Sequence, residues 1–265
     1  MYVFDYHRPN SLADAHGLLT AREDAKILAG GMTLIPTLKQ RLAQPSDLID
    51  LSACPGLSGI TLAADSLTIG AMTCHAAVAA NPQVIAALPA LASLAAGIGD
   101  PAVRNRGTLG GSIANDDPAA DWPAACLGLG ATILTDSREI AAEDFFLGLF
   151  ETALEPAEII TAVRFPLPLA AAYAKFDQPA SRFALVGVFV ARTAAGSRVA
   201  VTGASQEGVF RAGDLEKALD RDFSAAALEG VRVSPARLNE DIHGDGAYRA
   251  HLIGVMAGRA VSACQ

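Results

Sequence analysis

The chain has 265 residues and a mass of 27.2 kDa, enough for one large domain or two small ones with a sizeable core. Hydrophobic residues make up 51% and charged residues 18%, which excludes a disordered chain. A formal charge of −8 without a basic cluster argues against nucleic acid or an anionic membrane surface as a partner.

In chain order, Ser11 and Asp14 resemble a capping pair and open a helix whose apolar face is Leu12, Ala15, Leu18 and Leu19. Lys26 to Ala29 reads as a short buried strand that Gly30-Gly31 ends. Thr33 to Lys39 reads as a helix with Pro36 in its first turn. Asp47 to Leu51 is a second strand, so residues 1–52 predict β and α alternating in a small parallel unit. After Pro55 the pattern turns antiparallel. Gly59 to Leu62 and Leu67 to Gly70 flank Ala64-Asp65-Ser66 as a hairpin. An alanine-rich helix is predicted from Gln83 to Ala96. Gly97 to Asp121 shows neither helical nor strand period, and a loop that long is usually functional. Gly130 to Leu134 and Glu158 to Val163 are strands, and Pro166 with Pro168 marks a boundary. Beyond it, Phe183 to Ala191 and Val199 to Thr202 predict strands. Asp214 to Leu219, Ser224 to Val231 and Tyr248 to Ser262 predict helices.

Cys54, Cys74, Cys126 and Cys264 are scattered, with no Cys-x-x-Cys pair to seed a zinc site or iron–sulfur cluster. With no signal peptide at the N-terminus, they read as reduced thiols of a cytoplasmic protein. Val84 to Ile98, the most apolar segment, is too short to span a bilayer and contains Pro89. The histidines His7, His16, His75, His243 and His251 have no metal-ligand spacing. His75, after Thr73-Cys74, reads as a packing and capping residue.

Three glycine segments compete for a ligand. Ala29-Gly30-Gly31-Met32-Thr33 lies between strand and helix, where glycine lets the backbone approach a pyrophosphate and the helix start offers free N–H groups. Thr108-Leu109-Gly110-Gly111-Ser112 again joins two glycines to hydroxyls, with Asp121 a few residues on as an acceptor for ribose hydroxyls. Either alone also reads as an ordinary turn. Together they favour a dinucleotide. Gly97-Ile98-Gly99-Asp100-Pro101-Ala102 matches a Rossmann fingerprint, but a helix precedes it and Pro101 sits inside it, so it is rejected.

The segments Leu28-Ala29-Gly30-Gly31-Met32-Thr33-Leu34-Ile35-Pro36, Arg104-Asn105-Arg106-Gly107-Thr108-Leu109-Gly110-Gly111-Ser112-Ile113-Ala114 and Asp117-Pro118-Ala119-Ala120-Asp121 resemble the FAD-binding (medium) subunit of the molybdenum hydroxylase family, of the carbon monoxide dehydrogenase and xanthine dehydrogenase type. Tyr6-His7-Arg8-Pro9 and Tyr248-Arg249-Ala250-His251-Leu252 add to the likeness, which spans the chain. The resemblance implies an α+β fold: a two-lobed FAD domain of the vanillyl-alcohol-oxidase type over residues 1–169, with lobes of about 1–55 and 56–169, then a small α+β domain over 170–265. It implies FAD contacts from Ile27, Leu28, Ala29, Gly30, Gly31, Met32, Thr33 and Leu34, and from Thr108, Leu109, Gly110, Gly111 and Ser112. Asn115 and Asp121 match polar contacts near the ribityl and ribose, Ile160 an apolar contact near the flavin, and Phe183 an aromatic ring against the isoalloxazine. Phe183 reads equally as plain core. Met32 departs from the polar residue common in relatives, and Thr33 replaces the more usual serine while keeping its hydroxyl.

No catalytic or metal-binding residue is expected in this chain, because electron relay requires no protein acid or base. The implied role is an oxidoreductase subunit that passes electrons from iron–sulfur clusters through FAD to NAD, quinone or oxygen. Its implied partners are a molybdopterin-binding large subunit and an iron–sulfur small subunit. The rivals are a stand-alone FAD oxidoreductase, which would need a base beside the flavin, and a non-enzymatic nucleotide-binding or assembly module, against which both glycine loops are intact.

Overall fold

The computed structural model describes residues 1–264. The first lobe is β1 (Asp5–His7), α1 (Leu12–Thr20), β2 (Lys26–Leu28), α2 (Leu34–Lys39) and β3 (Asp47–Asp50). Its three strands are parallel in the order β1-β3-β2, as the alternation of strand and helix predicts. Ser11 caps α1, its hydroxyl accepting from Asp14 N–H at 3.0 Å. Ala15, Ile49 and Leu51 form this lobe's core, closed by Ile159 from the segment just before a later strand.

The second lobe begins with β4 (Ile60–Leu62) and β5 (Ser66–Gly70), the expected hairpin. A helical run follows: α3 (His75–Ala80), α4 (Pro82–Ala87), α5 (Pro89–Ala96), α6 (Pro101–Arg104), α7 (Leu109–Asn115) and α8 (Trp122–Leu129). Then come β6 (Thr132–Thr135), β7 (Glu139–Ala141), α9 (Ala142–Phe145), β8 (Phe146–Gly148), β9 (Glu151–Thr152) and β10 (Ile160–Pro166). The main sheet is antiparallel with the order β4-β5-β10-β6-β7. Two expectations need correction here. The single helix Gln83 to Ala96 is two helices, because Leu88 precedes Pro89 and leaves the helical region at φ −149°, ψ 67°. Gly97 to Asp121 contains α6 and α7, started by the side chains of Asp100 and Thr108. At 4 and 7 residues they are too short to show a period.

The C-terminal part is β11 (Ala170–Asp177), β12 (Ala184–Thr193), β13 (Gly196–Thr202), β14 (Phe210–Arg211), α10 (Gly213–Arg221) and α11 (Gly246–Ala263). Its four strands form an antiparallel meander. β11 escapes sequence reading because alanine, its main residue, has little strand preference. The predicted helix Ser224 to Val231 is a single 3₁₀ turn, Ala226–Leu228, ended by extended Glu229 and by Gly230 at φ +80°. Ile253, Met256, Ala257 and Ala260 of α11 cover one face of the meander. The other face packs on α8 through Phe189 and Ala200. Every residue of α8 is buried, as an all-apolar helix between two layers must be. Among the described residues no helix is long and apolar enough to cross a membrane.

Candidate functional site

β2 ends at Leu28, and the chain turns through Ala29-Gly30-Gly31-Met32-Thr33 into α2. Gly31 sits at φ +73°, where a Cβ would be strained. Its carbonyl accepts from Ile35 N–H at 3.0 Å. The backbone N–H groups of Gly30, Gly31, Met32, Thr33 and Leu34 donate to no acceptor among the described residues. Five successive unpaired amides on a half-exposed turn form a concentrated field of donors. Met32 and Thr33 point outward, and the Thr33 hydroxyl has no protein partner either.

The second glycine segment is built differently. Thr108 caps α7, its Oγ1 accepting from Gly111 N–H at 3.1 Å. Leu109 N–H donates to Thr73 O at 3.1 Å and Gly110 N–H to Ala71 O at 2.8 Å. With Ser112 N–H donating to Thr108 O at 3.1 Å, four amides of this segment are already engaged by the protein. Gly110 is glycine because its α-carbon lies against Ala71, whose Cβ would stand 2.6 Å from a Cβ placed there. Ser112 and Asn115, three apart on one face of α7, are half-buried and their side chains have no partner among the described residues.

The two segments meet. A Cβ on Gly30 would stand 2.1 Å from Arg106 O and 2.8 Å from Gly107 Cα. One on Gly111 would stand 3.3 Å from the Ala29 methyl. The turn before α7 is therefore the support on which the first glycine turn rests, and the free N–H groups extend beyond that contact. Of the two cations at this turn, Arg104 donates to Ile98 O and Gly99 O, both at 2.9 Å, while Arg106 is exposed.

Of the remaining expected residues, Ile27 and Leu28 border the first turn and the others sit on other elements. Ile27 and Leu28 lead into the turn from β2, with Ile27 packing on the first-lobe core. Ile160 is buried in the second-lobe core. Phe183 is 45% exposed at the turn between β11 and β12. Asp121, read as a ribose acceptor, is buried, and both its oxygens accept from within the protein. Tyr173 OH donates to Oδ1 at 2.5 Å, and Lys175 Nζ lies 3.2 Å from Oδ1 and 3.3 Å from Oδ2. Lys175 also donates to Gly97 O and Arg182 O, both at 2.9 Å. It thereby ties α8, the segment after α5 and the turn that carries Phe183.

Burial pushes the Asp121 carboxyl up, against the pull of Lys175. Asp116 ends α7 in the left-handed region at φ +41°, and its Oδ1 is buried without a partner among the described residues. Burial, then repulsion from Asp117, raises it to about 7. His75 is buried and held down to about 4, first by burial and then by the Arg104 charge. Its Nδ1 accepts from Trp122 Nε1 at 3.1 Å. The sequence alone assigned no site role to Tyr173, Lys175 or Asp116, and gave His75 only a bland one. No short motif contains them.

Trp122 is the single tryptophan, so its emission reports on His75. Emission is expected to stay constant from pH 8 to 5 and to fall only as His75 protonates near pH 4. The unfolded chain binds this proton near 6.5, so between about 6.5 and 4 it holds more protons than the folded chain and stability falls as pH drops. The slope approaches about 1.4 kcal/mol per pH unit within that window. A fluorescence midpoint near 6.5 in the folded protein contradicts the buried neutral ring.

Comparison with known proteins bears on which ligand these donors take. A family described as the FAD binding domain in molybdopterin dehydrogenase matches residues 2–168. The chain is 35% identical to the carbon monoxide dehydrogenase medium chain of Hydrogenophaga pseudoflava, over 98% of this chain and 96% of that one. It is 35% identical to the nicotine 6-hydroxylase medium subunit of Paenarthrobacter nicotinovorans, over 97% and 95%. The solved structure of reconstituted CO dehydrogenase from Oligotropha carboxidovorans contains a chain that superposes with a TM-score of 0.90 at 35% identity, covering 98% of this chain and 97% of that one. The site fits such a cofactor: unpaired amides suit an anionic pyrophosphate, and Thr33, Ser112 and Asn115 offer free polar side chains.

Proposed function

The chain belongs to the family of FAD-binding domains of molybdopterin dehydrogenases, and from that membership we propose that it is the electron-relay subunit of a multi-chain molybdenum hydroxylase. The partners in this reading are a molybdopterin-binding large subunit and an iron–sulfur small subunit, in keeping with the medium-chain names of its relatives. Bound FAD supplies the redox chemistry, accepting electrons from the clusters and delivering them to NAD, quinone or oxygen. The four scattered cysteines are free, in keeping with clusters carried by another chain and with a reducing cytoplasm.

This chain's own contribution is binding and orientation. The observation that carries the reading is the row of unpaired N–H groups from Gly30 to Leu34, resting on the Arg106–Gly107 turn. These donors would hold the pyrophosphate, with Thr33, Ser112 and Asn115 as polar contacts along the cofactor. The exposed ring of Phe183 would lie against the isoalloxazine, on a turn that Lys175 anchors through Arg182 O. Within the proposed division, residues 1–169 bind the cofactor and residues 170–265 brace it from the meander.

The purified chain is expected to release FAD, not FMN, on heating, because the donor row suits two linked phosphates. Alone it should hydroxylate no N-heterocycle, purine or aldehyde. Co-expression with its two partner chains should give a stable complex that does. Release of FMN, or hydroxylation by the single chain free of molybdenum, refutes the subunit reading.

A further inference from the structure

A chain of contacts in the second lobe ends at the glycine turns, and His75 is its middle member. An indole N–H can only donate, so the Trp122 Nε1 contact at 3.1 Å obliges His75 Nδ1 to accept. The neutral ring then carries its proton on Nε2. His75 N–H donates to Gly107 O at 3.0 Å. The ring edge also lies against Gly107, where a Cβ would stand 2.8 Å from Nε2. The residue before Gly107 is Arg106, whose carbonyl supports Gly30. Trp122 is fully buried, and Asp121 beside it is held by Tyr173 and Lys175, so the indole cannot follow a displaced histidine.

We propose that His75 is a positioning residue for FAD binding: kept in one tautomer by Trp122, it seats the Arg106–Gly107 turn, which sets the placement of Gly30 and of the free N–H groups after it. The proposal rests on the cradle reading above. His75 touches no cofactor in this scheme. It acts through a turn that must sit at one height, because Gly30 and Arg106 meet backbone to backbone with no side chain to absorb an error.

The test is FAD titration of the full-length, flavin-stripped chain by flavin fluorescence, well below the melting temperature of each variant. His75→Asn keeps an acceptor, Oδ1, close to the position of Nδ1. His75→Leu keeps bulk but leaves the buried indole N–H unpaired, and Trp122→Phe removes the donor. His75→Leu is expected to raise the FAD Kd about tenfold or more and Trp122→Phe about threefold or more, with His75→Asn nearer the wild type than either. A merely structural histidine predicts lower melting temperatures but an unchanged Kd in every folded variant. Gly30→Val serves as the control for the cradle. Wild-type affinity in folded His75→Leu or in Trp122→Phe, with Gly30→Val defective, overturns the positioning role alone. Wild-type affinity in Gly30→Val overturns the cradle itself. If His75→Leu does not fold, the comparison of Trp122→Phe with His75→Asn decides: a Kd unchanged in Trp122→Phe overturns the proposal.

Discussion

Gly30→Val is expected to lose FAD retention, with a Kd at least about a hundredfold weaker, while the chain stays folded. Gly30 does not owe its identity to a positive φ. It is glycine because Arg106 O occupies the place of a Cβ, at 2.1 Å, with the Arg106 carbonyl carbon and Gly107 Cα both at 2.8 Å. All three are backbone atoms, so no rotamer change relieves the clash. One turn must move off the other by about an ångström or more, and the five unpaired amides move with it. A misplacement of about 1 Å in a site made of aligned donors costs on the order of a hundredfold. Gly31 and Gly111 should follow in a graded order. Gly31→Ala meets the Ile35 side chain at 2.9 Å and is strained at φ +73°, by about 1 kcal/mol. Gly111→Ala meets the Thr108 hydroxyl at 2.9 Å and the Ala29 methyl at 3.3 Å, and a hydroxyl can rotate away. Gly111→Val is still expected to release FAD, since its added methyls press on the first glycine turn. Bound flavin per chain after gel filtration, with circular dichroism to confirm the fold, reads the series. Full flavin in folded Gly30→Val removes this pair of turns from the site.

Lys175→Met should destabilise the fold by about 3–5 kcal/mol, because it leaves the Asp121 carboxylate buried without its cation. Side-chain exposure is only 10% for Lys175 and 6% for Asp121, so water cannot replace the ammonium. The loss should depend on pH in a direction that identifies Asp121. Burial already raises its carboxyl above 3.8, and removal of Lys175 raises it further. The folded variant then holds a proton that the unfolded chain releases above about 3.8. Stability relative to wild type is best below that value and falls as pH rises through the folded pKa. Thermal melts at pH 5 and pH 8 should show the larger deficit at pH 8, with a fall in Tm on the order of 10 °C. An equal deficit at both values shows that Asp121 does not carry the cost. Because Lys175 also holds the Phe183 turn by donating to Arg182 O, the variant should retain flavin less firmly than its melting temperature alone implies.

Much of the first lobe was legible from local patterns. The Ser11 cap, the strands β2 and β3 and the parallel pairing they imply are properties of residues one to four apart, or of short helical connections. The two glycine segments could be singled out for the same reason, since turn chemistry is written in adjacent residues. Family membership likewise depended on strings of consecutive residues such as Leu28 to Pro36 and Arg104 to Ala114. Where local signals were weak, reading failed locally. Proline at 89 split a helix that alanine alone would have continued, two short helices hid inside a Gly- and Pro-rich stretch, and β11 was concealed by its alanines.

What the amino-acid order determined by itself was therefore the existence of two glycine turns and the family they mark. Only the tertiary structure decided how the two divide the work. It stacks Gly30 on Arg106, engages the amides of Leu109, Gly110 and Gly111 within the protein, and leaves those from Gly30 to Leu34 unpaired among the described residues. It also turns Asp121 inward to Tyr173 and Lys175, 52 and 54 residues away, and sets Trp122 on His75 across 47 residues. The physical reason is the same in each case. Whether a backbone amide or a carboxylate is free depends on which acceptor or cation the folded chain brings beside it; for Asp121 and Trp122 that neighbour is set by the packing of α8 between the second lobe and the C-terminal meander, which no local period encodes.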